Sequence, residues 1–186
     1  MHNKIVYTPN GPDAAPETFF LTHYHSPLGT YLLAGSQRGV VCVASEEEAP
    51  FRISRWERGN IELRYDDAHN SALTLQLDAY FAGRLRQFTI PLDLRGTPFQ
   101  RRVWKLLCGI PFGETRTYRQ LAEALGRPNA ARAVGRANGS NPAAIVVPCH
   151  RVIGSNGKLT GYAGGLHRKK ALLDLEARKV WEVSPK

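Results

Sequence analysis

The residues that could do chemistry stand together at Pro148-Cys149-His150-Arg151-Val152. A cysteine acts as a nucleophile through its thiolate, which a neighbouring cation or an imidazole base favours. His150 and Arg151 supply one of each. Adjacent side chains point apart, so coupling Cys149 to His150 requires a turn or a bridging water. An arbitrary Cys-His pair is more often a buried structural cysteine beside a surface cation pair, so the dipeptide alone does not define a site. The run Ala143–Val147 before it is apolar, of strand length, and stopped by Pro148. The three cysteines, Cys42, Cys108 and Cys149, have no Cys-x-x-Cys spacing. That argues for a reducing compartment and against a disulfide framework or a Cys-rich zinc site. His23 and His25 read as ordinary residues of an alternating strand, so no metal is expected.

These residues need elements to hold them, and the second half of the chain reads mainly as helix. Thr97-Pro98 is an N-cap followed by proline at the first helical position, with Phe99, Val103, Leu106 and Leu107 at helical spacing up to Gly109. Thr117 opens a second helix, with Leu121, Ala122 and Leu125 on one face and Gly126 closing it. Pro128 begins a third, Asn129–Asn138, whose small residues permit close approach. Two helices joined through Gly126-Arg127-Pro128 have the spacing of a helix-turn-helix. Arg132 and Arg136, four apart, project from one face of the second. A last amphipathic helix over 165–178 carries Leu166, Leu172, Leu173 and Leu175.

The first half reads as β. Residues 1–17 form a loose Pro/Gly-rich leader, and Phe19–His25, Thr30–Ala34 and Val40–Ala44 are short strands separated by turn residues. The stretch 46–70 is charged and ambiguous, with a further strand at Ile61–Tyr65; a helix then ends at Gly83, and Arg84–Leu94 alternates again. Charge divides the 186 residues at the same place. Residues 1–96 carry 9 Lys/Arg and 11 Asp/Glu, a net of −2, whereas 97–186 carry 16 and 5, a net of +11. The +9 total thus sits wholly in the helical half, as expected of a half that meets a polyanion, with the first half as scaffold. A domain boundary is placed near 92–97, giving domains 1–92 and 93–186. No apolar run approaches membrane-spanning length, and the polar N-terminus lacks a signal-peptide core, so a soluble cytoplasmic protein is expected.

The region from Thr97 to Glu176 resembles the O6-alkylguanine-DNA alkyltransferases. The resemblance rests on Gly113-Glu114-Thr115, Thr117-Tyr118, Ala130-Ala131-Arg132-Ala133-Val134-Gly135, Asn141-Pro142, Pro148-Cys149-His150-Arg151-Val152-Ile153, Gly161-Tyr162, Gly164-Gly165 and Leu172-Leu173-x-x-Glu176, in order and at the right spacing. Residues 1–96 match only through Ser26-Pro27-Leu28-Gly29 and Tyr80-Phe81-x-Gly83. The resemblance implies an α+β protein: an N-terminal ribonuclease H-like α/β domain with an antiparallel sheet, then a mainly helical domain with a winged helix-turn-helix. It implies single-turnover repair of double-stranded DNA, in which a flipped O6-alkylguanine (or O4-alkylthymine) loses its alkyl group to Cys149, with no cofactor. Arg132 would fill the space the base vacates. Tyr118 would crowd the 3′ phosphate and protonate the leaving guanine, and His150, oriented by Glu176, would take the thiol proton through a water. Asn141 would fix the backbone near Cys149; Pro148, Val152 and Tyr162 would form the pocket, with Ser155 in the loop closing over the base. Arg119 and Arg127 are expected at phosphates from their charge and position. The protein would act as a monomer, alone or cooperatively on DNA. Ala144 stands where mammalian members have proline, which opens the pocket toward bulkier alkyl groups. Two other classes compete: a non-catalytic reader of alkylated bases, whose kind carries Trp where this chain has Cys149, and a cysteine hydrolase, for which only the Cys-His pair speaks.

Overall fold

The computed structural model describes residues 16–177, so the leader lies outside the described residues except for its last two positions. Three strands, β1 (Glu17–Ser26), β2 (Gly29–Ser36) and β3 (Gly39–Ser45), form an antiparallel meander. Both turns are tight: Gly29 adopts φ +106°, which a side chain resists, and the second hairpin loop shrinks to Gln37-Arg38. The sheet is mixed rather than antiparallel, because β4 (Ile61–Tyr65) pairs parallel with β1 in the order β3-β2-β1-β4. Its cause is α1 (Ala49–Glu57), a crossover helix in the charged stretch that the sequence left ambiguous. A parallel neighbour can be reached only by such a crossover. Ile53 and Trp56 of α1 cover one sheet face, against Phe19, Leu21, Leu32, Ala34, Val41, Cys42 and Ala44.

The opposite face builds the main core. Tyr24, Tyr31, Leu33, Val40 and Val43 meet Leu73, Leu77 and Tyr80 of α2 (Ser71–Phe81) and, continuously, the apolar faces of the second half. The expected strand at 84–94 is irregular. Only Leu92 bridges to Val40, through bonds at Pro91 O and Asp93 N, and Pro91 has no N–H to extend the ladder. Leu92 and Leu94 are fully buried, so the passage between the halves is part of the core.

In the second half α3 (Pro98–Cys108) and α4 (Tyr118–Ala124) each start with a complete capping box, Thr97 with Gln100 and Thr117 with Gln120. Trp104 of α3 is buried and donates to Ala137 O at 2.8 Å, which fixes α3 against α5 (Ala131–Gly139). Gly126, at φ +70°, ends α4, and a single 3-10 turn at Pro128–Ala130 leads into α5. Two short parallel strands, β5 (Arg116–Thr117) and β6 (Val152–Ile153), tie the start of α4 to the segment after Cys149. The last helix, α6 (Leu166–Ala177), buries Lys169, Leu172 and Glu176 rather than its full leucine set; Leu166 is exposed. Among the described residues no helix is long and apolar enough to cross a membrane.

Candidate active site

The apolar run before Cys149 is not a strand. Ala143 makes one isolated bridge to Val43 of β3, and the chain then turns through Ile145 at φ +71°. A β-branched residue resists that conformation, so the surroundings must impose it. Asn141 does so: its buried amide donates to Val147 O (2.8 Å) and Ala143 O (3.4 Å) and accepts from Ala143 N (3.1 Å). Asn141 thus clamps the loop that delivers Cys149. From α1, Arg52 donates to Asn141 O at 3.3 Å, so the first half braces the same loop.

Pro148 leads into one turn of 3-10 helix over Cys149–Arg151. That turn does not bring the Cys149 and His150 side chains together. Cys149 faces a cavity while His150 and Arg151 reach Glu176, and all four are buried. His150 Nε2 lies 2.8 Å from Glu176 Oε1. Arg151 donates Nε to Oε2 (2.8 Å) and an Nη to Oε1 (2.9 Å); Tyr80 Oη adds a bond of 2.7 Å and Gly113 N one of 3.1 Å. Burial opposes the Glu176 charge, but the bonds from His150 and Arg151 outweigh it and hold the carboxyl down at about 2. Burial lowers the His150 pKa against the pull of Glu176. A neutral imidazole donating Nε2–H to Glu176 leaves Nδ1 as an acceptor, and Nδ1 is buried with no protein partner. Arg151 and Tyr80 were missed as partners of Glu176, because nothing local in sequence links positions 80, 151 and 176.

Burial pushes the Cys149 thiol up to about 11, against the pull of the Asn141 amide and the Lys169 ammonium. At neutral pH the resting group is the thiol, so its proton must leave during reaction. Lys169 is fully buried and donates Nζ to Val152 O (2.5 Å) and Thr160 O (2.7 Å), pinning the 152–160 loop beside the cysteine. Its signal in the sequence is helical spacing: Lys169, Leu172 and Glu176 share a face of α6.

The cavity against Cys149 measures about 20 Å³ and is lined by Tyr31, Ser45 and Glu48 from the first half and by Asn138, Asn141, Ala144 and the 161–164 loop from the second. The acidic half is thus more than scaffold; it walls the reactive thiol. A space of that size holds about one water and is far short of a purine base. Tyr162 lines the cavity, with its hydroxyl buried and unpartnered. Pro148 and Val152 do not: Pro148 lines a separate groove behind the turn, and Val152 is packed in the core. Tyr118, half-buried at the start of α4, donates to Thr160 O at 3.2 Å. Arg132 and Arg136 on α5, Arg119 on α4, Arg127 in the turn and Ser155 in the loop after β6 are all exposed. They lie outside the buried cluster. Among the described residues no group of three or more His, Cys, Asp or Glu side chains is placed to hold a metal.

Residues 20–94 match the ribonuclease-like domain of the 6-O-methylguanine DNA methyltransferases, and residues 98–178 match their DNA-binding domain. The chain is 50% identical over 163 residues to the methylated-DNA–protein-cysteine methyltransferase of Mycobacterium bovis, covering 86% of this chain and 95% of that protein. It is 48% identical over 159 residues to the protein so named in Methanosarcina barkeri, covering 83% and 95%. The crystal structure of Mycobacterium tuberculosis O6-methylguanine methyltransferase superposes with a TM-score of 0.74 at 48% identity, covering 88% of this chain and 94% of that one. The same score and identity hold for the Mycobacterium tuberculosis structure in complex with DNA, over 86% and 92%. With both domains matched and relatives half-identical over nearly their whole length, the chain belongs to the 6-O-methylguanine DNA methyltransferase family.

Proposed function

We propose that this protein repairs alkylated double-stranded DNA by moving the alkyl group from O6 of a flipped guanine to Cys149, once per molecule. The observation that carries the residue assignment is a buried thiol at a cavity, followed in the same 3-10 turn by an imidazole whose Nε2 Glu176 holds. His150 Nδ1 takes the thiol proton through a water. The sulfur lone pair forms the C–S bond as the C–O6 bond breaks, and its electron pair passes to guanine, which Tyr118 protonates. The thioether that results has no leaving group, so the protein is spent. Asn141 keeps the reactive loop in its strained turn, and Tyr162 closes on the base.

Base flipping costs a few kcal/mol, less where the lesion already weakens pairing. Arg132, exposed on the second helix of the helix-turn-helix, fills the vacated stack, and Arg119, Arg127 and Ser155 contact the DNA backbone. The two domains divide near 92–97, and a cytoplasmic location suits a protein with free cysteines.

An intact-mass measurement tests this directly. After incubation with a duplex bearing O6-methylguanine, the protein should gain one methylene, on the Cys149 peptide, saturating at one per molecule. Turnover beyond one equivalent would point to a hydrolase, and binding without mass gain to a non-catalytic reader. Arg132→Ala should slow reaction on duplex by about a hundredfold, the scale of a lost few kcal/mol, while leaving reaction with free O6-benzylguanine nearly unchanged. Equal losses on both substrates would make Arg132 a structural residue.

A further inference from the structure

The cavity at Cys149 holds polar atoms that the transfer chemistry leaves without a role. Tyr31 of β2 and Asn138 of α5 are each 2% exposed and both line it. The Tyr31 hydroxyl and Asn138 Oδ1 are buried with no hydrogen-bond partner. The Asn138 amide cannot simply turn over, because Nδ2 donates to Cys149 O at 3.4 Å, which leaves Oδ1 for the cavity. A buried polar group without a partner is costly, so such atoms mark where a ligand group belongs. Burial holds the Tyr31 phenol well above its ordinary range, so it stays a donor at neutral pH. The Ser45 and Tyr162 hydroxyls line the same space and are likewise buried without a partner. Three hydroxyls and one obligate acceptor, Asn138 Oδ1, therefore surround about 20 Å³, room for about one oxygen. Glu48 adds a carboxylate to the same wall.

We propose that Tyr31, Asn138 and Glu48 form a polar subsite that favours hydroxylated alkyl groups, of which 2-hydroxyethyl is the simplest, over apolar groups of equal length and over anionic ones. The inference rests on the alkyl-transfer reading, since the group that reaches Cys149 Sγ must occupy the space Cys149 lines. The adduct hydroxyl accepts from Tyr31 and donates to Asn138 Oδ1. A terminal methyl in its place leaves both protein atoms unpaired, and sites built to bond a hydroxyl reject analogues lacking it. A carboxylate can accept from the hydroxyls, but it has no proton for Asn138 Oδ1 and is repelled by a charged Glu48 on the same wall. The step is the one already written: the carbon attached to O6 passes to sulfur, and the distal hydroxyl is untouched.

Single-turnover rates on otherwise identical duplexes bearing O6-methyl-, O6-propyl-, O6-(2-hydroxyethyl)- and O6-carboxymethylguanine test it. In the unaltered protein hydroxyethyl should outpace propyl by about tenfold, the worth of one well-placed hydrogen bond, and carboxymethyl should be slowest. Tyr31→Phe, which removes only the hydroxyl, should bring the hydroxyethyl-to-propyl ratio close to one. Glu48→Gln should raise the carboxymethyl rate relative to methyl. A ratio near one in the unaltered protein, or one that Tyr31→Phe leaves alone, overturns the subsite. So does equal slowing of all four adducts by Tyr31→Phe, which would mean that the hydroxyl serves the base or the fold. Failure of the methyl adduct to react at all would instead overturn the transfer reading, and the subsite with it.

Discussion

Cys149→Ser is expected to bind alkylated duplex as the unaltered protein does while losing transfer by about a thousandfold or more, because an alcohol replaces the thiol that must ionise. Serine is nearly isosteric and the site is only 6% exposed, so neither the loop fold nor the exposed face of α5 should change. The two other cysteines sharpen the expectation. Burial raises Cys42 to about 12 and Cys108 to about 11, the latter no different from Cys149. Thiol acidity therefore does not select the acceptor. Position does: Cys42 is sealed in the sheet core under α1, Cys108 faces the groove behind the turn, and Cys149 alone of the three meets the cavity. A mobility shift paired with intact mass separates binding from reaction. A methylene gained by the serine variant on any peptide would end the assignment of Cys149.

What could be read in the sequence was what is local. The N-cap at Thr97, the helix start at Thr117, the stop at Gly126 and the Cys-His-Arg triplet are each written within a few residues, and the helices begin and end there. Element type failed where local pattern and tertiary context disagree. Ala143–Val147 has the composition of a strand, yet Asn141 brackets it into a turn; Arg84–Leu94 alternates, yet Pro91 breaks the ladder. α1 was hidden because its charged surface face outweighs Ile53 and Trp56. The reach of Tyr80 and Arg151 to Glu176, and of Tyr31 and Glu48 to the cavity, spans long separations that no periodicity encodes. Charge by halves singled out the helical half as the one to meet a polyanion and left the acidic half as scaffold, which also contributes a wall of the pocket.

Glu176→Gln carries the second large effect, on stability and reactivity together. The carboxylate accepts from His150, twice from Arg151, from Tyr80 and from Gly113. An amide offers one oxygen and turns its NH2 against donors, so the buried Arg151 guanidinium loses its counter-charge. Breaking a buried pair from one side costs about 3–5 kcal/mol, or a Tm lower by about 10 °C at this size. The acid limb gives a separate signature. The Glu176 pKa falls from an ordinary 4.5 to about 2 on folding. It therefore contributes about 3 kcal/mol above pH 4.5, lost as the pH falls toward 2. The variant has no such group, so its stability should change less over that window. A clamp and a relay then part company in kinetics measured below the variant's Tm. Without the carboxylate, His150 loses the partner that holds its Nε2 and leaves Nδ1 free to accept a proton, and a thiol near 11 must ionise unaided. The rate with free O6-benzylguanine should fall by about a hundredfold and keep rising into alkaline solution. An unchanged rate and pH profile in a folded but less stable variant would leave Glu176 a clamp for Arg151 and nothing more.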